Sequence, residues 1–280
     1  MKLNKRVVTN EDVRFYQDNG YWISPRIFDD DQLARLRQAH DRIWARDYDG
    51  DGFPLSEWES NGNPLQLRKM DNAWWVNDVI KDAITNPLLG QMAAELMDTD
   101  AVRVWYDQVI YKPGTGNKQN VSSGNVGWHQ DYAYWQCTNS DNLVTAWIAL
   151  QDTDLSNGCM MVVPGSHRWG LVPTSDSFFN QDLDSLKNQF ARDGREWREV
   201  PMTLKAGQAS FHHSLAFHAS GPNLSDAPRL SVVSHLMPSD MAYENKGQNV
   251  DNIRLLGPRP RQGQLFANEY FPLLAPLTVG

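Results

Sequence analysis

From about residue 101 the chain breaks into short apolar runs rich in β-branched residues, separated by glycine, proline and asparagine. The first run ends at Lys112-Pro113-Gly114, and later runs occupy 143–150, 159–163, 209–211 and 230–236. Many short strands separated by turn signals are typical of a β-sandwich or barrel. We therefore expect a mainly β fold whose strands come from both halves of a double sheet, with helices packed around it.

The helices are expected in the first hundred residues. Thr9 or Asn10 is a suitable N-cap for a short helix that stops at Gly20. Asp29 precedes apolar residues that recur at helical spacing. Asn86-Pro87 combines a capping side chain with proline at the first helical position. The amino-terminal part is therefore predicted to be helical.

No internal repeat, low-complexity linker or second boundary interrupts the sequence. We expect one domain over residues 1–280, because single β-rich domains often reach this length. Its parts are predicted to be a helical segment at about 1–100, a β core at about 101–240, and a carboxyl-terminal extension at 241–280.

The charge pattern excludes some partners. Lysine and arginine number 26 against 34 acidic residues, a formal charge of -8, so binding to nucleic acid or an anionic membrane through bulk electrostatics is not expected. The longest apolar run is too short to cross a bilayer, and no apolar stretch of signal-peptide length follows the amino terminus. With two isolated cysteines, the pattern predicts a soluble cytoplasmic protein. Nothing in the sequence indicates an oligomeric state.

The segment GWHQDYAYWQ, residues 127–136, places His129 and Asp131 two positions apart among large aromatic residues. On a strand, residues i and i+2 point to the same face, so an imidazole and a carboxylate would project together. With a second histidine, the pair forms a 2-His-1-carboxylate site that leaves positions open on Fe(II). A polar pair on a surface strand gives the same pattern, and such short motifs often match by chance.

Four of the 7 histidines are candidates for the second metal-binding imidazole, because they cluster within 24 residues near the carboxyl end. They are His212, His213, His218 and His235. Spacing alone does not select one of them, and a histidine in an apolar strand is more often a hydrogen-bonded core residue than a ligand.

Three ordered segments give the chain a resemblance to a known family: GWHQDYAYW, MVVPGSHRWG and FHHSLAFHASGPNLSDAPRLSVV. With the amino-terminal FYQDNGYWISPRIFDDDQLARLR, they resemble the phytanoyl-CoA dioxygenase family of iron(II)- and 2-oxoglutarate-dependent oxygenases. The resemblance runs in order from roughly residue 12 to 237. It implies that the β core is a double-stranded β-helix, the jelly-roll or cupin-like form of the expected fold.

The resemblance implies roles for three further residues. The family's second metal-binding histidine precedes Ala-Ser-Gly-Pro-Asn, which makes it His218 here. The family's 2-oxoglutarate-binding arginine follows eleven residues later, as Arg229. A guanidinium suits this task, because its rigid fork pairs with both oxygens of a carboxylate. Ser231, on the same strand face, is expected to add a hydroxyl donor.

Two more positions match the cosubstrate pocket of the family. Gln108 can donate to a carboxylate oxygen, and Trp147 can wall the pocket and exclude water, although a tryptophan in an apolar strand suits a core equally well. Lys112 lies on the same strand face as Gln108 and is a possible anion contact. For Lys112 we expect a solvated position at the strand end instead.

The substrate pocket is expected beside the metal motif. Tyr134, and Trp135 where the strand bends, are candidates to line it, and His213 either helps to position the substrate or lies in the core. Relatives in this family act on acyl-CoA thioesters, amino-acid-like osmolytes, phosphonates and natural products. The aromatic content, together with no basic patch for the phosphates of coenzyme A, favours a secondary metabolite.

The resemblance implies a dioxygenase that uses Fe(II), 2-oxoglutarate and O2 to hydroxylate, or otherwise oxidise, an unactivated C–H bond of a small molecule. Desaturation stays open, whereas Asp131 disfavours halogenation, because related halogenases carry a small residue at that position. A zinc hydrolase is an alternative, since two histidines and an acid also hold Zn²⁺, although it gives Arg229 no role. A non-catalytic small-molecule-binding protein on the same fold is the other alternative.

Overall fold

The computed structural model describes residues 7–50, 54, 56–58, 65–116, 124–173, 177–192, 194–246 and 250–274. The two ends of the predicted domain, 1–6 and 275–280, lie outside these residues. Within the described part lie six α-helices: α1 (Asn10–Asn19), α2 (Asp30–Trp44), α3 (Asp78–Ile84), α4 (Pro87–Met97), α5 (Leu183–Phe190) and α6 (Val250–Leu255).

The predicted helix starts are confirmed. Thr9 caps α1 and Asp29 caps α2, each through a capping box in which its side chain accepts from the third helical backbone N–H. Asn86 caps α4 ahead of Pro87. Gly20 ends α1 with a φ of 73°, a left-handed conformation that glycine adopts without steric cost. Local capping chemistry therefore sets these boundaries.

Twelve short strands lie in the described part of the chain. They are β1 (Tyr21–Ile23), β2 (Ser56–Trp58), β3 (Arg68–Asp71), β4 (Val102–Lys112), β5 (Val126–His129), β6 (Val144–Ala149), β7 (Met160–Val162), β8 (Val200–Pro201), β9 (Ala209–His213), β10 (His218–Ser220), β11 (Arg229–Pro238) and β12 (Leu273–Leu274). Each apolar run singled out in the sequence is one of these strands.

The strands form two antiparallel sheets. The larger has the order β1-β9-β6-β11-β4-β3-β2, and β12 also pairs with β4. The smaller has the order β5-β10-β7-β8. Non-consecutive strands are neighbours in both sheets, which is typical of the two-sheet β architecture that the turn pattern predicts.

The two faces of the larger sheet bury different partners. On the outer face, Ile148, Phe211 and Val232 pack in one cluster with apolar residues of α2, α3 and α4. On the inner face, Trp147 and Val233 pack against residues of the smaller sheet. Burying a large apolar side chain contributes about 1.5–3 kcal/mol, so the helices and the smaller sheet hold the larger sheet from both sides.

The first hundred residues also contain strands, which the helical pattern did not predict. β1 and β3 join the larger sheet through β9 and β4, and β2 extends it beyond β3. Each has only three or four residues, so none is long enough to show alternation in the sequence. In the described residues, no helix is long and apolar enough to cross a membrane.

Candidate active site

His129, Asp131 and His218 meet at the edge of the smaller sheet. His129 ends β5, His218 begins β10, and the two are cross-strand partners. Asp131 opens a 3-10 turn over Asp131–Tyr134. One ligand atom from each of the three lies within 4.8 Å of the other two, and all three side chains are buried. The fold therefore brings together the three residues that the sequence nominated.

The two imidazoles are oriented by backbone carbonyls. Nδ1 of His129 lies 2.7 Å from the Gly127 oxygen, and Nδ1 of His218 lies 3.0 Å from the Ala216 oxygen. A carbonyl only accepts, so Nδ1 carries the hydrogen in both rings. Both Nε2 atoms face Asp131, at 3.5 and 3.6 Å from its Oδ1, and in a neutral ring Nε2 is the nitrogen that carries the lone pair. This is the orientation of metal-binding histidines.

Asp131 is ionised despite its burial. Burial alone would raise the pKa of its carboxyl, but the imidazoles of His218, His129 and His212 hold that pKa well below its usual range. Its Oδ2 accepts a hydrogen bond of 2.7 Å from the Thr145 hydroxyl. Oδ1 is therefore the oxygen left to face the two histidines.

The prediction that His129 and Asp131 lie on one strand is wrong. β5 ends at His129, so Asp131 meets His129 through the turn and not through strand alternation. A continued strand would also have pointed Tyr134 away from His129, because residues five apart lie on opposite faces. The turn instead directs Tyr134 into the cavity described next.

A cavity of about 570 Å³ opens beside the three residues, between the two sheets. This volume suits a small-molecule ligand. Strands β3, β4, β6, β9 and β11 of the larger sheet, the edge of the smaller sheet and the 177–180 loop supply its walls. The lining side chains used below are Lys69, Asp71, Tyr106, Gln108, Tyr134, Thr145, Trp147, Phe178, Phe179, His212, Ser220, Arg229 and His235.

Arg229 lies at one end of this cavity and is buried. One of its terminal nitrogens donates to the carbonyl of Gly158, and its guanidinium carbon lies 4.9 Å from the Trp147 ring centre. Burial lowers the pKa of Arg229 to about 10, so the group is charged at neutral pH. In the described residues, its Nε has no hydrogen-bond partner.

The prediction for Lys112 is wrong. Its side chain is fully buried, and Nζ donates to Ser220 Oγ at 2.6 Å and to the Gly221 carbonyl at 2.5 Å. Lys112 is also the cross-strand partner of Arg229. Burial, together with the Arg229 charge, lowers the pKa of Lys112 well below its usual value. The Lys-Pro-Gly turn indicated a strand end but gave no sign that the sheets cover it.

Ser231, Gln108 and Trp147 occupy the inner face near Arg229. Gln108 and Trp147 flank Val233 in the register of three adjacent strands, and both line the cavity. The Gln108 amide donates to Asp71 Oδ1 at 2.9 Å, so a protein carboxylate already occupies this donor. The Ser231 hydroxyl is buried and has no hydrogen-bond partner in the described chain.

Trp135 and His213 are not brought into the cavity. Trp135 is buried in an apolar cluster with Trp105 and Cys137, where its ring supports residues of the wall. His213 lies on the other side of β9 from His212, and its ring is 5.4 Å from that of His167. Burial lowers the pKa of His213 to about 3, and its Nδ1 accepts from the backbone of Leu215. The core alternative for His213 is the one that the structure supports.

Several residues that line the cavity were not predicted from the sequence. Lys69 and Asp71 form an ion pair of 2.8 Å on β3, a strand too short to be predicted. Phe178 and Phe179 come from a loop, which shows no period. His235 is different, because the sequence named it among the four candidate metal-binding histidines, and the structure places it on the cavity wall, on the same face of β11 as Arg229.

Gly127 is required by close packing, and Gly127→Ala is expected to be strongly destabilising. A Cβ there would lie 1.9 Å from the Ser177 carbonyl oxygen and 2.8 Å from that of Asn180. The loop would have to move, and overpacking of this kind costs about 1–3 kcal/mol. Chemical denaturation should show that loss, whereas Gly221→Ala, with nothing within 4 Å of its Cβ, should change stability little. Equal stability of both variants would contradict the packing argument.

The comparisons with known proteins agree with this geometry. The sequence model of the family described as "Phytanoyl-CoA dioxygenase (PhyH)" matches residues 16–231. The chain belongs to this family. The peroxisomal phytanoyl-CoA dioxygenase of Homo sapiens is 22% identical over 258 residues, covering 90% of this chain and 75% of the relative. Ectoine dioxygenase of Bordetella bronchiseptica is 24% identical over 287 residues, covering 95% and 85%.

Solved structures show the same fold as this PhyH-family chain. The epimerase SnoN in complex with Fe³⁺, alpha ketoglutarate and nogalamycin RO matches with a TM-score of 0.74 and 26% identity, covering 95% of this chain and 98% of that one. EctD from S. alaskensis with 2-oxoglutarate and 5-hydroxyectoine matches with a TM-score of 0.65 and 19% identity, covering 95% and 89%. The predicted double-stranded β-helix core is confirmed.

The protein is therefore a 2-oxoglutarate-dependent non-haem iron dioxygenase that acts on a small molecule. Family, fold and the buried His-Asp-His group agree on this reaction class. They do not favour the zinc hydrolase or the non-catalytic binding protein.

Proposed function

We propose that His129, Asp131 and His218 hold the iron of this dioxygenase. We further propose that the cavity beside them binds a ring-containing natural product, which the enzyme oxidises at a C–H bond. The observation that carries the proposal is the buried group itself. An Nε2 atom from each imidazole and one oxygen of the Asp131 carboxylate converge from β5, the turn that follows it, and β10. This is the donor set of a facial triad, which leaves positions open for ligands.

The residues present fit the metal on chemical grounds. The Asp131 carboxylate is kept ionised by its neighbours, and burial lowers the pKa of His218 well below its usual value. The His218 imidazole is therefore ready to bind a cation without first losing a proton. Thr145 and the carbonyls of Gly127 and Ala216 hold the three side chains in place.

We assign the Arg229 end of the cavity to 2-oxoglutarate. Arg229 is a buried cation beside the buried amine of Lys112, and a buried cation is costly unless an anion pairs with it. Ser220 accepts a hydrogen bond from Lys112 and lines the cavity. Its own hydroxyl hydrogen is therefore free to donate a hydrogen bond to a carboxylate. Ser231 is proposed as a second hydroxyl donor, with Gln108 and Trp147 as the wall.

Iron and 2-oxoglutarate, when bound, supply the activation of dioxygen and the oxidation of the substrate. The chain's share is positioning and exclusion of water. Trp147 and Val233 form an apolar floor between the Arg229 end and the histidines. An apolar surface that excludes water strengthens the ion pair between Arg229 and a carboxylate, because screening by water is removed.

The substrate class follows from the other end of the cavity. Tyr106, Tyr134, Phe178 and Phe179 supply aromatic faces, and the Lys69–Asp71 pair adds polar contacts. Aromatic walls with a few polar groups suit a ring system that carries polar substituents. SnoN, the relative solved with nogalamycin RO, is consistent with this class. We propose hydroxylation as the outcome, in a one-domain cytoplasmic protein.

The test is an anaerobic titration of the metal-free protein with Fe(II) and then 2-oxoglutarate. The proposal expects a weak visible charge-transfer band that saturates with one equivalent of each. The band should be absent in His218→Ala, and in His213→Phe, which is outside the cavity, it should match wild type. A band of wild-type strength in His218→Ala would show that other residues hold the metal.

Lys112→Met gives a separate prediction for the cosubstrate end. Removing a buried amine, which is costly to desolvate, offsets the loss of its two hydrogen bonds, so the free energy of unfolding is expected to stay within about 1 kcal/mol of wild type. Binding of 2-oxoglutarate should weaken roughly tenfold, because Ser220 loses the donor that orients it. Calorimetry with the iron-loaded protein measures this. The exposed Lys205→Met is the matched control, and unchanged binding in Lys112→Met would contradict the assignment.

A further inference from the structure

A chain of hydrogen bonds runs from Asp131 to a histidine that the metal site does not use. The Thr145 hydroxyl donates to Asp131 Oδ2 at 2.7 Å and also lies 2.8 Å from Nδ1 of His235. His235 stands on β11 opposite Thr145, and both side chains line the cavity. The contact between the Thr145 hydroxyl and the His235 imidazole determines which ring nitrogen of His235 carries the hydrogen.

The direction of these bonds follows from counting hydrogens. The Thr145 hydroxyl has a single hydrogen, and it donates that hydrogen to Asp131 Oδ2. Thr145 must then accept from His235, which places a hydrogen on Nδ1. Burial lowers the pKa of His235 to about 4, so the ring is neutral at pH 7. Its Nε2 consequently carries a lone pair.

That lone pair is buried at the cavity wall. Among the residues that the structure describes, Nε2 of His235 has no hydrogen-bond partner. The ring itself is held between two aromatic neighbours, with its centre 4.3 Å from that of Tyr106 and 4.9 Å from that of Trp135. An acceptor left unsatisfied in a buried site costs about 1–3 kcal/mol, so this atom should meet a donor when the cavity is occupied.

We infer that His235 is a substrate-positioning residue whose Nε2 accepts a hydrogen bond from a hydroxyl or N–H group of the substrate. The inference rests on the proposed function, because it concerns the same cavity. It narrows the substrate to a molecule that carries such a donor near the carbon to be oxidised, since Thr145 links His235 directly to the Asp131 carboxylate. A hydrocarbon chain would leave Nε2 unsatisfied.

Two probes test this inference: 2-naphthol, which carries a donor, and 2-methoxynaphthalene, which lacks one. Equilibrium dialysis against the protein loaded with iron and 2-oxoglutarate, without oxygen, gives both dissociation constants. The ratio of ether to naphthol constants should fall about fivefold in His235→Phe, the loss expected for one hydrogen bond to a neutral acceptor. His213→Phe should keep the wild-type ratio.

Either an unchanged ratio in His235→Phe or a wild-type cavity that takes up neither probe would overturn the inference. An ordered water that already satisfies Nε2 would give the first of these results. Nitrogen-15 NMR of the histidine rings adds a readout on wild type alone, where His235 should show a hydrogen on Nδ1 and a bare Nε2. The opposite tautomer would also overturn it.

The same protein samples distinguish a failure of this inference from a failure of the proposed function. The charge-transfer band of iron and 2-oxoglutarate should form in His235→Phe as in wild type. His235 contacts Thr145, Tyr106 and Trp135, and none of these is a proposed metal ligand. A wild-type protein without the band refutes the proposed metal site, whatever the probes do. A normal band with an unchanged probe ratio refutes only the role of His235.

Discussion

Asp131→Asn is expected to abolish turnover and to weaken iron binding by more than about 100-fold, beyond the 10–100-fold typical of losing a residue that only supports a ligand. The substitution keeps the shape of the side chain but removes its charge. Asparagine can still accept from Thr145, so the turn that carries it should persist and the free energy of unfolding should change little. Iron affinity by anaerobic titration and succinate release measure the two losses.

The matched control is Asp107→Asn, a second buried carboxyl on the opposite face of β4 from Gln108. Burial raises the pKa of Asp107 well above its usual range. This shift favours the neutral form of the carboxyl, which asparagine resembles in shape and charge. We expect wild-type iron binding from this variant. If Asp131→Asn binds iron as well as Asp107→Asn does, the carboxylate is not a ligand and the triad is wrong.

The contrast between the two aspartates shows what a sequence reveals about a site. Both are single acidic residues within aromatic segments, Trp-Tyr-Asp107 and Trp-His-Gln-Asp131. Only the histidine two positions earlier sets Asp131 apart, and the family resemblance was needed to favour a metal site over an ordinary polar pair. The lowered pKa of Asp131 and the raised pKa of Asp107 depend on burial and on neighbours from distant strands, which no local pattern contains.

The strands of the β core were predictable because each is an apolar run buried on both faces. β6, for example, is buried at all six positions, so it forms a continuous apolar stretch. The short strands were not predictable, and this matters for function. β3 supplies Lys69 and Asp71 to the cavity, yet its four residues follow no period and are held in place by pairing with β4.

Lys112 shows a second limit. A lysine before Pro-Gly is usually solvated, and only the arrival of β10 over the strand end buries it against Ser220. Its position beside Arg229 adds a second buried basic side chain where the sequence indicated one. Tertiary packing here reverses a local expectation, and it does so at the end of the cavity proposed for 2-oxoglutarate.

Arg229→Leu is expected to raise the dissociation constant for 2-oxoglutarate by about 10–150-fold, because hydrogen bonds to charged groups contribute about 1.5–3 kcal/mol. Arg229 is 3% exposed, it is charged, and in the described residues it forms no ion pair. A buried cation without an anion is unfavourable. The metal-free Leu variant should therefore be at least as stable as wild type, which separates loss of the ligand from loss of the fold.

Arg229→Lys distinguishes charge from shape. Lysine keeps the positive charge but presents a single point in place of a planar fork, so it should recover only part of the affinity. Stacking against Trp147 should be lost as well, since that contact depends on the flat guanidinium. Iron binding without 2-oxoglutarate should be normal in both variants, and Arg103→Gln, in the same sheet but outside the cavity, should bind 2-oxoglutarate as wild type does. An unchanged affinity in Arg229→Leu would show that 2-oxoglutarate binds in another part of the cavity, because a carboxylate paired with Arg229 would lose its charged donor.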